Sequence, residues 1–111
     1  MNLQETMGAL KRAGTAQSRK VYARHGVKGD MFGVSFAELK SLKKKVKEDH
    51  ELAQALWETG NHDARMLACM IADPKQSDRE LLERWVDDID NYILGDQFSG
   101  LAASSGFGHS C

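Results

Sequence analysis

The sequence predicts an all-α fold: antiparallel helix pairs stacked as repeats of about forty residues, a fragment of an α-solenoid. Three observations carry this expectation. Apolar residues recur at three- and four-residue steps along most of the chain. There is only one proline, and β-branched residues are sparse. Short polar or glycine-containing breaks separate the periodic stretches. A plain helical bundle satisfies the same periodicity.

The elements follow in order. Leu3, Met7 and Leu10 mark a helix over 3–13, which Gly14 interrupts. Residues 15–24 continue as a short helix with Val21 and Tyr22. "HGVKGDMFGV", residues 25–34, holds three glycines and reads as a loop. Ser35, with Glu38 three positions on, makes a capping box for a helix whose stripe is Phe36, Leu39, Leu42 and Val46. Residues 49–58 add Leu52, Ala55 and Leu56. Gly60 ends that helix, and Asn61 caps the next, whose buried face is Ala64, Leu67, Ala68 and Ile71. After the turn "ADPKQS", Ser77 and Glu80 form a second capping box. The helix pairs are 35–58 and 61 to about 94. Residues 1–111 are expected to form a single all-α domain, the N-terminal part of a longer repeat domain, with 99–111 a weakly structured tail.

Composition narrows the function classes. The chain of 111 residues supports one modest domain. No apolar run is long enough to span a membrane, and the N-terminus lacks a signal-peptide core. Cys69 lies in the apolar run "MLACMIA" and reads as a small buried hydrophobe; Cys111 is terminal, so a disulfide is not expected and a cytoplasmic location is. The four histidines have no zinc-ligand spacing, and neither metal nor cofactor is expected. The net charge of -1 hides an asymmetry. Residues 1–47 hold eleven Lys or Arg against three acids, and residues 48–111 hold four against thirteen. The basic half contains "KSLKKKVK", residues 40–47, which either contacts phosphates or forms a solvated face. Lys28 and the glycines of 25–34 precede a helix N-terminus, where backbone N–H groups can meet a phosphate. The plainer reading is a tight interhelical loop.

"RWVDDIDNY", residues 84–92, sets three carboxylates beside an apolar stripe. On one continuous helix Leu82, Trp85, Val86, Ile89, Tyr92 and Ile93 share a broad face. Asp88 and Asp90 then lie on opposite rims of that face, and Asp87 and Asn91 look outward. A rim carboxylate suits a substrate that develops positive charge. Trp85 fits the core or a base-stacking surface. Asp87, Asp88 and Asp90 also suit a purely structural role, offsetting the lysines of 40–47.

Three segments resemble a known family: "YARHGVKGDMFGVSFAELKSLKKKV", "WETGNHDARMLACMIADP" and "WVDDIDNYILGDQF". They are similar to the N-terminal part of the HEAT-like repeat DNA alkylation repair proteins, the AlkD-like glycosylases, over roughly residues 20–98. The resemblance implies a HEAT-like solenoid that holds double-stranded DNA on a basic surface. It implies excision of alkylated, positively charged purines without metal or cofactor. The family's catalytic aspartate, four residues after a tryptophan, falls on Asp90. The aromatic position falls on Val86, with Trp85 one residue earlier, which is a departure from the pattern. A second departure is that the family's active-site arginine comes from a later repeat, beyond this chain. In this reading a carboxylate at Asp90 stabilises oxocarbenium character on the sugar as the cationic base leaves.

Two functions compete. One is a DNA repair glycosylase, or an inactive N-terminal fragment of one, with Asp90 catalytic and Trp85, Lys28, Lys40, Lys44 and Lys47 on the DNA. The other is a non-catalytic repeat module that binds DNA or protein, or another copy of itself through an uncovered apolar face. Lys40, Lys44 and Lys47 recur at four- and three-residue steps, so they share an outward side of a regular helix. Phosphate contact by that side gives weak, non-specific, salt-sensitive binding to duplex DNA. Changing all three to alanine is expected to lower both affinity and salt slope in an anisotropy titration. Unchanged binding at every salt concentration makes the run a solvated face.

Overall fold

The computed structural model describes residues 2–105. They form seven helices: α1 (Leu3–Ala13), α2 (Ala16–Arg24), α3 (Phe36–Val46), α4 (His50–Glu58), α5 (His62–Ile71), α6 (Arg79–Asp88) and α7 (Tyr92–Ser105). The all-α repeat architecture expected from the sequence is the one observed.

The start signals are local and mostly legible. The Ser35 hydroxyl accepts from the Glu38 N–H at 3.3 Å, and Asn61 accepts from Ala64 at 3.1 Å. Asn2 and Glu5 make a reciprocal capping box that the sequence reading passed over. At α6 the expected box is corrected. Asp78, not Ser77, is the N-cap, accepting from Leu81 at 2.9 Å. Ser77 is buried and donates instead to the Asp73 carbonyl. An ionised carboxylate is also the better partner for a helix N-terminus.

The core joins Leu10 of α1, Leu39 and Leu42 of α3, Leu56 and Trp57 of α4, Leu67 and Ile71 of α5, Trp85 of α6, and Leu94 and Leu101 of α7. The tightest antiparallel contact is α4 on α5, joined by the Gly60 turn at φ 77°. α5 also packs on α3 and on α7. These last three helices run parallel. Their N-terminal ends meet at one edge, where Lys28, Gly60, His62, Asp90 and Asn91 border a hollow. Their C-terminal ends meet at the other, where Lys43, Lys47, Ala72 and Leu101 line a second hollow.

Two expectations about the end of the chain change. The single apolar helix of 82–93 is broken: α6 stops at Asp88, Ile89 is extended at ψ 123°, and α7 begins at Tyr92. Asn91 supplies the reason, because its carboxamide caps a new helix by accepting from Leu94 at 2.9 Å. The weakly structured tail is helical from 99 through Ser105, held by buried Leu101. Residues 106–111, with His109 and Cys111, lie outside the described residues.

The connection into α3 is organised by Asp63. Its side chain is wholly buried and accepts three backbone N–H groups: Phe32 at 2.5 Å, Gly33 at 3.1 Å and Val34 at 2.9 Å. Burying a carboxylate is costly unless such bonds replace its water, and charge-assisted bonds are the strong ones. The His62 N–H donates to the Asp30 carbonyl at 2.9 Å, tying down the same loop. Gly33 is the residue the turn requires. Its φ is 77°, and a Cβ there would lie 2.6 Å from the Thr15 carbonyl oxygen.

Replacing Asp63 by alanine leaves buried donors unpaired, so a loss of about 3–5 kcal/mol is expected in urea unfolding. A loss below about 1 kcal/mol would show that the loop does not need this carboxylate. His62 gives a pH signature. Burial pushes its pKa below the usual 6.5, against the opposing pull of the Asp63 and Asp90 carboxylates. The unfolded chain therefore binds the proton more readily. The stability held above pH 6.5 is lost as pH falls through the lower, folded pKa. His62→Leu should flatten that limb of a stability–pH curve; an unaltered limb assigns it to other groups.

Candidate nucleic-acid interface

The edge where α3, α5 and α7 begin carries the candidate site. Asp90 stands in the break between α6 and α7, exposed, with its carboxylate accepting from the Asn91 side chain at 3.0 Å. Asn91 in turn caps α7, so Asp90 sits just ahead of a helix N-terminus. Beside it is a hollow of about 30 Å³ bordered by Lys28, Gly60, His62, Arg65, Asn91 and Leu94. Lys28 and Asp90 are thus brought together by the fold. His62 forms the hollow's buried wall, and neither ring nitrogen has a hydrogen-bond partner among the described residues.

The break itself is anchored from α4 and α5. The Trp57 indole N–H donates to the Asp88 carboxylate at 2.9 Å. Arg65 donates through Nε to the Trp57 carbonyl at 3.1 Å and through a terminal nitrogen to the Asp88 carbonyl at 3.4 Å. Its guanidinium lies 5.0 Å from the Trp57 ring centre and 3.8 Å from the Asp88 carboxylate. Under this clamp Trp57 and Trp85 stack at 4.4 Å with their rings 1° from parallel. Sequence reasoning missed Arg65, although its place one turn after the capping Asn61 marked it as part of α5.

Several sequence-predicted site residues are placed elsewhere. Trp85, expected as a DNA contact, is 2% exposed and spent on Trp57, while Val86 faces outward. In the 25–34 loop the N–H groups of Phe32, Gly33 and Val34 are held by Asp63 and are not offered to a phosphate. Lys40 and Lys44 are exposed on α3, and Lys40 lies 5.0 Å over the Phe36 ring. Lys47 leaves their row. It ends α3 at φ 63° and lines the far hollow with Lys43. That hollow, about 400 Å³, is at the opposite end of α3, α5 and α7 from Asp90. The acidic segment does not neutralise the lysine run. Among the described residues the ion pairs are Arg65–Asp88 and Arg79–Glu83. Cys69 is buried with its thiol pushed up to about 12, which makes it inert packing. No helix among the described residues is long and apolar enough to cross a membrane.

No curated protein matches the chain. It is similar to a solved structure described as belonging to a new family of proteins related to the HEAT-like repeat DNA glycosylases with affinity for branched DNA structures. The match has a TM-score of 0.91 and 33% identity, covering 97% of this chain and 46% of that one, so the present chain spans less than half of that relative. The family model for DNA alkylation repair enzymes matches residues 3–106, which includes the capped break at Asp90 and the Asp63 loop. With nearly the whole helical array accounted for by that model, the chain belongs to the DNA alkylation repair enzyme family.

Proposed function

We propose that this chain is a DNA-binding repeat module that holds the nucleic-acid backbone along the edge where α3, α5 and α7 begin. The observation that supports it best is the meeting of Lys28 with the α5 and α7 N-termini beside Asp90. Cations and helix N-termini both favour phosphate. Lys40 and Lys44, both exposed on α3, would add further phosphate contacts. Such contacts position a duplex without reading sequence. Since a similar protein is described as having affinity for branched DNA, a four-way junction belongs among the ligands tried.

Base excision is the finer reading. In the longer protein that the resemblance implies, Asp90 faces the sugar of an alkylated purine and stabilises positive charge as the base leaves. Its exposure supports this role. The burial of Trp85 and the presence of Val86 at the aromatic position favour binding without catalysis by these residues alone.

Anisotropy titrations with duplex and four-way junction DNA separate the readings. Lys28→Ala should weaken binding and reduce the magnitude of the salt slope by about 1. Asp90→Asn should leave binding intact or slightly tighter, because a negative charge leaves the edge. Base release from duplex carrying N7-methylguanine is expected to be absent for this chain; release abolished by Asp90→Asn would instead establish catalysis. Binding that ignores Lys28→Ala would move the interface off this edge.

A further inference from the structure

The charges that the fold leaves unpaired gather in two patches. Residues 40–47 hold five lysines and no acid, while Asp78 to Asp90 hold six carboxylates against two arginines. The carbonyl end of one helix carries about half a charge, so α3 offsets only part of its lysine excess. Among the described residues no ion pair joins the two patches; the pairs are Arg65–Asp88 and Arg79–Glu83. α3 packs on α5, whereas α6 packs on α7. Each patch also has an apolar part. Exposed Lys43 and Lys47 line the hollow of about 400 Å³ together with Met70, Ala72 and Leu101. Glu48 lines it too and leaves the two lysines in excess. Lys47 takes its place there at φ 63°, a conformation that a side chain adopts only when its surroundings hold it. On α6, Val86 is 48% exposed and is flanked by exposed Glu83 and Asp87. These two acids are four residues apart and share the outward side of the helix.

We propose that the basic hollow of one copy receives the Val86 turn of α6 from a second copy, with Glu83 and Asp87 against Lys43 and Lys47. Charge complementarity selects this occupant. The hollow offers two ammonium groups beside an apolar wall, and the α6 turn offers two carboxylates beside an apolar side chain. Arg79 holds Glu83 only at 3.9 Å on the open surface, a pair that water already weakens. The net charge of -1 means that whole copies scarcely repel one another. Opposed patches of this kind set encounter rate and orientation more than affinity. The contact is small and screened by salt, so the association is weak and concentration-dependent. The two patches differ, so a variant that lacks one of them keeps the other.

Analytical ultracentrifugation of the full chain, free of nucleic acid, tests this. At low salt the weight-average mass should climb above 12.3 kDa as concentration rises. In about 1 M salt, where charges are felt over about 3 Å, it should fall back toward that value. One variant carries Lys43→Gln with Lys47→Gln, and a second carries Glu83→Gln with Asp87→Asn. Each should associate about tenfold more weakly than the unmodified chain. An equimolar mixture of the two should recover the contact as a 1:1 pair that grows no further, because only one hollow and one acidic turn remain intact. Circular dichroism confirms that these surface variants fold. A mass that stays at the monomer value at every concentration overturns the proposal. So does association that survives either pair of substitutions, or a mixture that stays as weak as its components. Association that appears only when DNA is added assigns the hollow to nucleic acid and overturns the contact between copies.

Discussion

A single buried carboxylate organises the approach to the candidate site. Asp63 lies in the first turn of α5 and reaches across to the three successive N–H groups that lead into α3. A loop with several glycines has many conformations to lose on folding, and its amides would be costly to bury unpaired. Asp63 answers both problems at once. It satisfies the amides and fixes the start of α3 relative to the start of α5. The Tyr22 hydroxyl adds a bond to the Val34 carbonyl, so α2 is joined to the same point. Lys28, His62 and the neighbouring edge of α7 take their positions from this arrangement.

The second fixed point is the α6–α7 break. There the chain abandons a helix whose apolar pattern could have continued. Asn91 offers a cap for a new helix, while the end of the old one is occupied by Arg65 and the Trp57 indole. The gain is positional. A residue in mid-helix has its direction set by the helix phase, whereas Asp90 in the break is directed toward the edge by the cap that follows it. The two fixed points lie at the two ends of α5's first turns, at Asp63 and Arg65. This explains why that short helix contacts both of its parallel neighbours.

Much of the helical array was legible because helix boundaries are written locally. Ser35, Asn61 and Gly60 act through groups three or four residues away, and their roles follow from residue type and spacing. Ser77 shows the limit of that logic. Two adjacent residues both fit a cap, and burial decided for Asp78. The candidate site was less legible because its geometry is tertiary. Asp90 and Lys28 were singled out from the sequence and do share a hollow. A helical wheel could not show that Asp90 sits in a break, since Ile89 and Ile93 extend the apolar pattern through it. Nor could it show that Lys47 turns off the lysine row at a positive φ, or that Trp85 spends its face on Trp57. Asp63 was hidden for the same reason: its partners lie about thirty residues away, and nothing in the local pattern distinguishes it from an ordinary first-turn acid.

The stacked indoles have an optical consequence. Trp57 and Trp85 are the chain's two tryptophans, and they share one face-to-face contact between α4 and α6. Two chromophores this close and this nearly parallel do not absorb or emit independently. Their transitions couple, so part of the near-ultraviolet dichroism depends on the registry of those two helices. Arg65 and Asp88 border the same pair, which ties the signal to the position of the α6–α7 break. The molecule thus carries its own unlabelled spectroscopic ruler, placed under the segment that presents Asp90 to the outside.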